Sequence, residues 1–255
     1  MAHSGLCCGL YRGSIYIKDL SVQNAPLLPV GNAEATINQE LAEIEQDNFQ
    51  SLGGKACKVE YIDSVTLDLV LHCTSPENLA LAFMGTSGQR TGSAVVDEAH
   101  PVNSIDELIP FLYVPRADQP VVVTNVGGGT TYVEGEDYIR TNSGIKIISG
   151  SDIAVDGSNI VVDYTYGNNY YVDAQTVAGK EFLVVLDGVN VGEGSQTPVV
   201  LKAWKVKFGP TDSFSLLTAE FASINLSGEI LRDDTKNAGS KFFSIEWGQT
   251  ANGVY

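Results

Sequence analysis

Residues 217–234 read LTAEFASINLSGEILRDD, and this stretch alternates between two kinds of side chain. The apolar side is formed by Ala222, Ile224, Leu226 and Ile230. The other side is small, polar and acidic, and consists of Ser223, Asn225, Ser227 and Glu229. A period of two is typical of a strand with one buried face and one hydrated face. The stretch therefore predicts a sheet whose polar face carries no residue of a catalytic type.

Two earlier segments show the same alternation of apolar and polar side chains. From Asn32 to Glu43 the polar side consists of Glu34, Thr36, Asn38 and Glu40. A helix is the competing interpretation, because residues 38–46 (NQELAEIEQ) are good helix formers, but the alternation that precedes them favours a strand. Residues 57–73 predict a second long strand, with Thr66 and Asp68 on its polar side. We expect these two strands to form a hairpin around a long polar loop.

One helix is predicted over residues 75–85, SPENLALAFMG. Ser75 suits the N-cap position, Pro76 the first helical position and Gly85 the left-handed residue that ends a helix. This helix is short, so we expect it to pack against a sheet.

Residues 90–167 have a different pattern from the rest of the chain, because short predicted strands alternate there with turns rich in Gly and Asn. We therefore predict a mainly β fold of two packed antiparallel sheets, sandwich- or barrel-like, with one short flanking helix and a small all-β insert. Residues 1–89 and 168–255 are expected to form the sandwich, and residues 90–167 the insert.

The charge balance limits the partners of the protein. Asp and Glu number 31 against 15 Lys and Arg, which gives a formal net charge of -16. Such a surface repels phosphate, so binding driven by affinity for nucleic acid is not expected. No apolar run approaches the roughly 18 residues of a membrane helix. The N-terminal sequence lacks the features of a signal peptide, so we expect synthesis in a cytoplasm and no membrane partner.

The sequence offers little for catalysis. The three histidines, His3, His72 and His100, are far apart, and no nucleophile elbow, phosphate-binding loop or zinc motif is present. Residues 152–163 approach a calcium loop, but Ala154 stands where a ligand is required, and a strand entering a turn fits the segment better. We therefore predict no catalytic residues, no cofactor and no metal, and a binding or structural protein rather than an enzyme.

Three segments resemble the major tail tube proteins of long-tailed bacteriophages. Residues 213–235 (SFSLLTAEFASINLSGEILRDDT) resemble the C-terminal signature of that family, and residues 69–85 (LVLHCTSPENLALAFMG) its strand and flanking helix. Residues 130–167 are similar to a β-unit found in many phage virion proteins. Family members form hexameric rings that stack into a tube, and each subunit contributes strands to a barrel around the lumen.

The resemblance implies a location in the virion tail, after assembly in the host cytoplasm. The long insert implies an outer lobe and a non-contractile, siphophage type of tail. The implied partners are further copies of the chain, the tape measure protein, the tail terminator and the tail-tip proteins. Genomic DNA is expected to pass through the lumen during ejection without specific binding.

The polar strand faces are the candidates for the lumen wall, because small polar and acidic side chains stay hydrated and repel phosphate. These lumen candidates are Glu34, Thr36, Asn38, Glu40, Thr66, Asp68, Ser223, Asn225, Ser227 and Glu229. The alternative is that some of them face bulk solvent on an ordinary sandwich. Phe49 and Leu52 are apolar residues in a polar loop, which indicates an interface. We therefore predict a ring-to-ring stacking loop of Asn48, Phe49, Gln50, Ser51 and Leu52.

Two other classes of protein remain open at this point. One is another virion β protein, such as a decoration or adhesin module, which the insert would suit. The other is a secreted carbohydrate-binding module, which the missing secretion signal disfavours.

Overall fold

The computed structural model describes residues 9–47, 55–177, 179–192, 196–236 and 239–248. The chain divides into two compact units. The core unit comprises residues up to Ser87 and those from Val172 onward, and the insert unit comprises Gly88–Tyr171. Antiparallel sheets dominate the described residues, with a single helix among them, so the predicted mainly β fold is confirmed.

The core unit is built on one eight-stranded sheet. Its strands are β1 (Tyr11–Asp19), β2 (Leu28–Pro29), β3 (Ala33–Asp47), β4 (Lys55–Leu71), β14 (Phe182–Asn190), β15 (Thr197–Phe208), β16 (Ile224–Ile230) and β17 (Phe243–Trp247). Their order in the sheet is β2-β1-β14-β15-β16-β4-β3, with β17 paired to β15 beside that path. A separate two-stranded sheet joins β5 (Thr86–Arg90) to β13 (Asn169–Asp173).

The apolar sides of β4 and β16 lie in the core of this unit, whereas on β3 Ala33 and Ile37 only pack against that core and Ala35 and Leu41 are exposed. Ile224, Leu226 and Ile230 of β16 pack with Leu67 and other buried residues of β4. Residues of β1 and β14 belong to the same cluster although they lie several strands away in the sheet. The sheet therefore curls around its own apolar face, and the polar residues of the alternation remain outside.

The helix α1 (Pro76–Ala82) begins at the predicted residue, but the left-handed residue that ends it comes one position earlier than predicted. The Ser75 side chain accepts a hydrogen bond from the Asn78 amide, and Pro76 opens the helix. The left-handed residue after the helix is Met84, with φ of 50°, and not Gly85. Gly85 is required for another reason, because a Cβ there would lie 2.2 Å from the Asp173 carbonyl oxygen.

The insert unit is a small β-sandwich with its own core. Its strands are β6 (Ser93–Pro101), β7 (Leu108–Pro110), β8 (Val122–Asn125), β9 (Thr131–Tyr132), β10 (Tyr138–Arg140), β11 (Gly144–Ile147) and β12 (Asn159–Tyr166). They form a three-stranded sheet in the order β10-β11-β7 and a four-stranded sheet in the order β6-β12-β8-β9. Ile109 and Ile145 of the first sheet pack with Val123 and Val162 of the second.

Candidate functional site

The structure brings the polar residues of three segments onto one side of three neighbouring strands, β3, β4 and β16. Thr36 of β3 stands opposite Asp68 of β4, which stands opposite Ser227 of β16. The next row consists of Asn38, Thr66 and Glu229, and a further row contains Glu34, Val70 and Asn225. On the other side of the Asn38 row, Glu40 stands opposite Ser64. We call this surface the polar face. Ser223 precedes β16 and lies outside the ladder.

Asp68 is the centre of the polar face. The Asn38 amide donates to Asp68 Oδ2 at 2.6 Å, and the Ser227 hydroxyl donates to Asp68 Oδ1 at 2.6 Å. One carboxylate therefore links side chains of all three strands. These charge-assisted bonds fix the direction of the amide and the hydroxyl on a hydrated surface.

The remaining acidic residues of the polar face have weaker partners. Glu34 Oε1 lies 3.4 Å from His72 Nε2, and the Ser64 hydroxyl donates to Glu40 Oε2 at 3.4 Å. Glu34, Glu40 and Glu229 are all exposed. These carboxylates give the surface of the polar face a negative charge.

Sequence reasoning missed Lys207, which stands opposite Glu229 where β15 adjoins β16. The alternation of residues 198–208 puts Lys207 on the side away from the core, so this orientation could be predicted from the sequence. The strand order that brings β15 beside the acidic strands could not be predicted from it. The polar face is thus acidic over β3, β4 and β16 and meets a lysine at its border.

Beyond a β-bulge the hairpin of β3 and β4 continues as an extension that we call the arm, Leu41–Glu45 with Lys58–Ile62. The bulge follows the Glu40–Ser64 pair, since Leu41 pairs with Ile62 and Asp63 is left over. On the arm, the side that continues the polar face becomes apolar: Ile44 pairs with Val59, and their exposed fractions are 63% and 59%.

The opposite side of the arm carries an ion-pair cluster. Lys58 Nζ lies 2.8 Å from Glu43 and 2.7 Å from Glu60. Hydrogen bonds to these two carboxylates, first to Glu43, raise the pKa of Lys58. The Lys58–Glu43 pair joins the two strands of the arm, whereas the Lys58–Glu60 pair lies within β4. The exposed apolar residues of the arm remain for a partner to cover.

Strand β3 is the edge of the eight-stranded sheet. Within the described residues it pairs with β4 alone, so no described strand covers its other side over Ala33–Ile44. A long unprotected edge is a template for pairing with another chain. The predicted stacking loop, Asn48–Leu52, follows this strand and lies outside the described residues.

The described residues contain no group of three His, Cys, Asp or Glu side chains placed to hold a metal ion. Asp156, part of the near match to a calcium loop, instead accepts hydrogen bonds from the amide and hydroxyl of Ser158. None of the described helices is long and apolar enough to cross a membrane.

Comparison with known proteins assigns the chain to a family. The model of a family described as "Protein of unknown function UCP028589" matches residues 10–246. No curated protein matches the chain. Because the match extends over nearly the whole sequence, the chain belongs to the family described as Protein of unknown function UCP028589.

Proposed function

We propose that this protein is the subunit of a phage tail tube, in which hexameric rings stack around a hydrated, acidic lumen that conducts DNA during ejection. One observation carries the proposal. The acidic polar face covers three neighbouring strands and ends at the free edge of β3. A ring of copies would use both features, one as the lumen wall and the other as the joint between subunits.

The free edge suits a barrel that closes between copies. An open sheet leaves unpaired backbone groups at its ends, and closure across subunits removes them. The sheet has β3 at one end and the short strand β2 beside β1 at the other. Pairing of β3 with the opposite end of the next copy would continue the same antiparallel sheet around a ring.

The chemistry of the polar face suits passage of DNA. A wall of Lys and Arg would release counterions and hold phosphate with an affinity that depends on salt. Glu34, Glu40, Asp68 and Glu229 repel phosphate, and the hydroxyls and amides between them keep water on the wall. Lys207 lies at the border of this surface, and the carboxylate of Glu229 opposite it offsets the positive charge of the lysine.

The arm suits contact with a neighbouring subunit. Its apolar side, with Ile44, Val59 and Tyr61, is exposed and projects from the edge of the sheet. The other proposed partners are the tape measure protein, the tail terminator and the tail-tip proteins. The location is then the virion tail, and the insert unit would form the outer lobe.

Electron microscopy of the purified protein tests this function. The proposal predicts stacked rings or tubes with a central channel. Discrete monomers or trimers at all concentrations would refute it and favour a decoration or adhesin module. Retention of the protein on a polysaccharide matrix, without tubes, would favour a carbohydrate-binding module.

A further inference from the structure

The core unit contains an apolar cleft of about 290 Å³ on the inner face of its curled sheet. The strands β1, β3, β4, β14, β15 and β17 line it with two residues each, and the two lie on the same face of their strand. None of the lining residues is charged. The cleft therefore belongs to the architecture of the sheet and does not depend on a single loop.

One wall of the cleft is a continuous row of side chains across four strands. Ile15 stands opposite Leu186, which stands opposite Leu201, and Leu201 stands opposite Ile245. The other wall comes from the hairpin of β3 and β4, through the pairs Ile37–Leu67 and Ala35–Leu69. Backbone pairing thus fixes both walls before any ligand arrives.

The space between the walls is left by two glycines. In the row beside the first wall, Gly13 stands opposite Gly188, Gly188 opposite Val199, and Val199 opposite Trp247. Two of these four positions bring no side chain to the inner face. A Cβ would lie 2.3 Å at Gly13, or 2.7 Å at Gly188, from a carbonyl oxygen of the paired strand. Larger residues are therefore excluded, and the backbone keeps the space open.

The cleft leads from solvent into the core. Tyr11, Ile245 and Trp247 are exposed, whereas Leu67 and Val184 are buried. The hydroxyl of Tyr11 and the indole N–H of Trp247 are the only side-chain hydrogen-bonding groups of the lining. A ligand can enter from solvent, and polar atoms on it find side-chain partners only at these two residues.

We infer that the cleft binds a neutral apolar molecule about the size of two aromatic rings. A cavity of roughly 150 Å³ holds one benzene ring, and this cleft has about twice that volume. Well-packed cores contain few voids larger than a water molecule, so a space of this size, kept open by the backbone, indicates an occupant. Clefts of this kind, at the mouth of a curled sheet, are common sites for small ligands.

The lining disfavours other classes of ligand. A carboxylate or an ammonium group would lose water without gaining a charged partner. A sugar would leave most of its hydroxyls unpaired, because the strands around the cleft use their backbone groups to pair with one another. A protein surface needs roughly 1,000 Å² of contact, which a cleft of this volume does not supply.

Fluorescence of N-phenyl-1-naphthylamine, a neutral aromatic probe that brightens in apolar surroundings, tests the inference. Titration of the full chain into dilute probe should give a saturable increase with a Kd on the order of 100 μM or tighter. The cleft variant Leu201→Trp fills the space, so its Kd should be at least about 10-fold weaker. Leu112→Trp, the same change at an exposed position of the insert unit, is the matched control and should bind like the wild type.

Two results would overturn the site. One is the absence of saturable binding up to about 1 mM protein. The other is a folded Leu201→Trp chain that binds the probe as the wild type does. Circular dichroism checks the folding, and Ile245→Trp, at the exposed end of the same row, replaces Leu201→Trp if that variant unfolds.

Competition tests the class of ligand. At neutral pH, 2-naphthol and 2-naphthalenesulfonate share a ring system, but only the second is charged. The neutral compound should displace the probe at least about 10-fold more effectively, because the lining has no cation for the sulfonate and the chain has a net charge of -16. Equal displacement by both compounds would refute a site for neutral ligands.

This inference goes beyond the tail tube function and does not depend on it. Probe binding by a protein that forms no tubes would leave the site standing and remove the tail tube. Tubes from a protein that binds no probe would do the reverse.

Discussion

Asp68 makes the most specific contacts of the polar face, because it holds an amide from β3 and a hydroxyl from β16. Its charge, together with those of Glu34, Glu40 and Glu229, makes the face repel phosphate. We expect Asp68→Lys/Glu229→Lys assemblies to retain DNA in low salt and release it in high salt, while wild-type assemblies retain none. Filter binding of labelled DNA against salt concentration measures this. Glu134→Lys/Glu136→Lys makes the same charge change on the insert unit, and equal retention by both variants would contradict the role of the polar face.

A second residue supports the fold of the insert unit. The buried Asp137 carboxylate accepts hydrogen bonds from the amides of Val133 and Asp152 and from the Ser151 hydroxyl. These bonds, led by that from Val133, hold the pKa of Asp137 below its usual range. Asp137→Ala should therefore lower the free energy of unfolding by about 1.5–3 kcal/mol at pH 7.

The pH dependence of this loss follows from the direction of the shift. A carboxyl whose pKa is lower in the folded state stabilises the fold fully above its unfolded pKa of about 3.9, and this stabilisation is lost as the pH falls through the folded pKa. Urea unfolding at several pH values should show the difference between wild type and Asp137→Ala shrink below about pH 4. A difference that stays constant down to pH 2 would contradict this account. Asp106→Asn, at an exposed carboxyl paired with Lys146, should cost at most about 0.5 kcal/mol, because Asn tolerates the φ of 62° at this position.

At the scale of the elements, we predict that assembly requires the apolar side of the arm. Ile44→Ser/Val59→Ser replaces a cross-strand pair that is exposed in the single chain, so the subunit should fold and unfold like the wild type. Assembly should weaken because the partner surface loses its apolar contact. Val126→Ser, at a similarly exposed position of the insert unit, is the control for light scattering. Normal tubes from the arm variant would show that the arm faces solvent in the assembly.

The elements also show what the sequence could reveal. Residues 38–46 have the composition of a helix, yet they form a strand, because the hairpin pairing with β4 outweighs local propensity. Strict alternation predicted the proximal polar residues of the hairpin. It did not predict the bulge at Asp63. In the part of β4 that precedes this bulge in the chain, the odd-numbered residues lie on the side that holds Thr66. Neither the strand order nor the neighbour Lys207 could be read from one strand at a time.

At the scale of the whole molecule, the insert unit should be separable. It has its own core, and its ends come together, because a Cβ at Gly88 would lie 2.6 Å from the Tyr171 hydroxyl. The isolated segment Gly88–Tyr171 should therefore fold alone and unfold in one cooperative transition. Thermal unfolding followed by circular dichroism measures this. A segment without a cooperative transition would show that its stability depends on the rest of the chain.

The central claim is that copies of this chain enclose a channel with the polar face as its wall. A reconstruction of the assembled protein by electron cryo-microscopy tests it most directly. The account predicts a tube in which Asn38, Asp68 and Ser227 of every subunit face the channel and β3 pairs with the next subunit around the ring. A tube with these three residues on its outer surface, or an assembly without a channel, would contradict it.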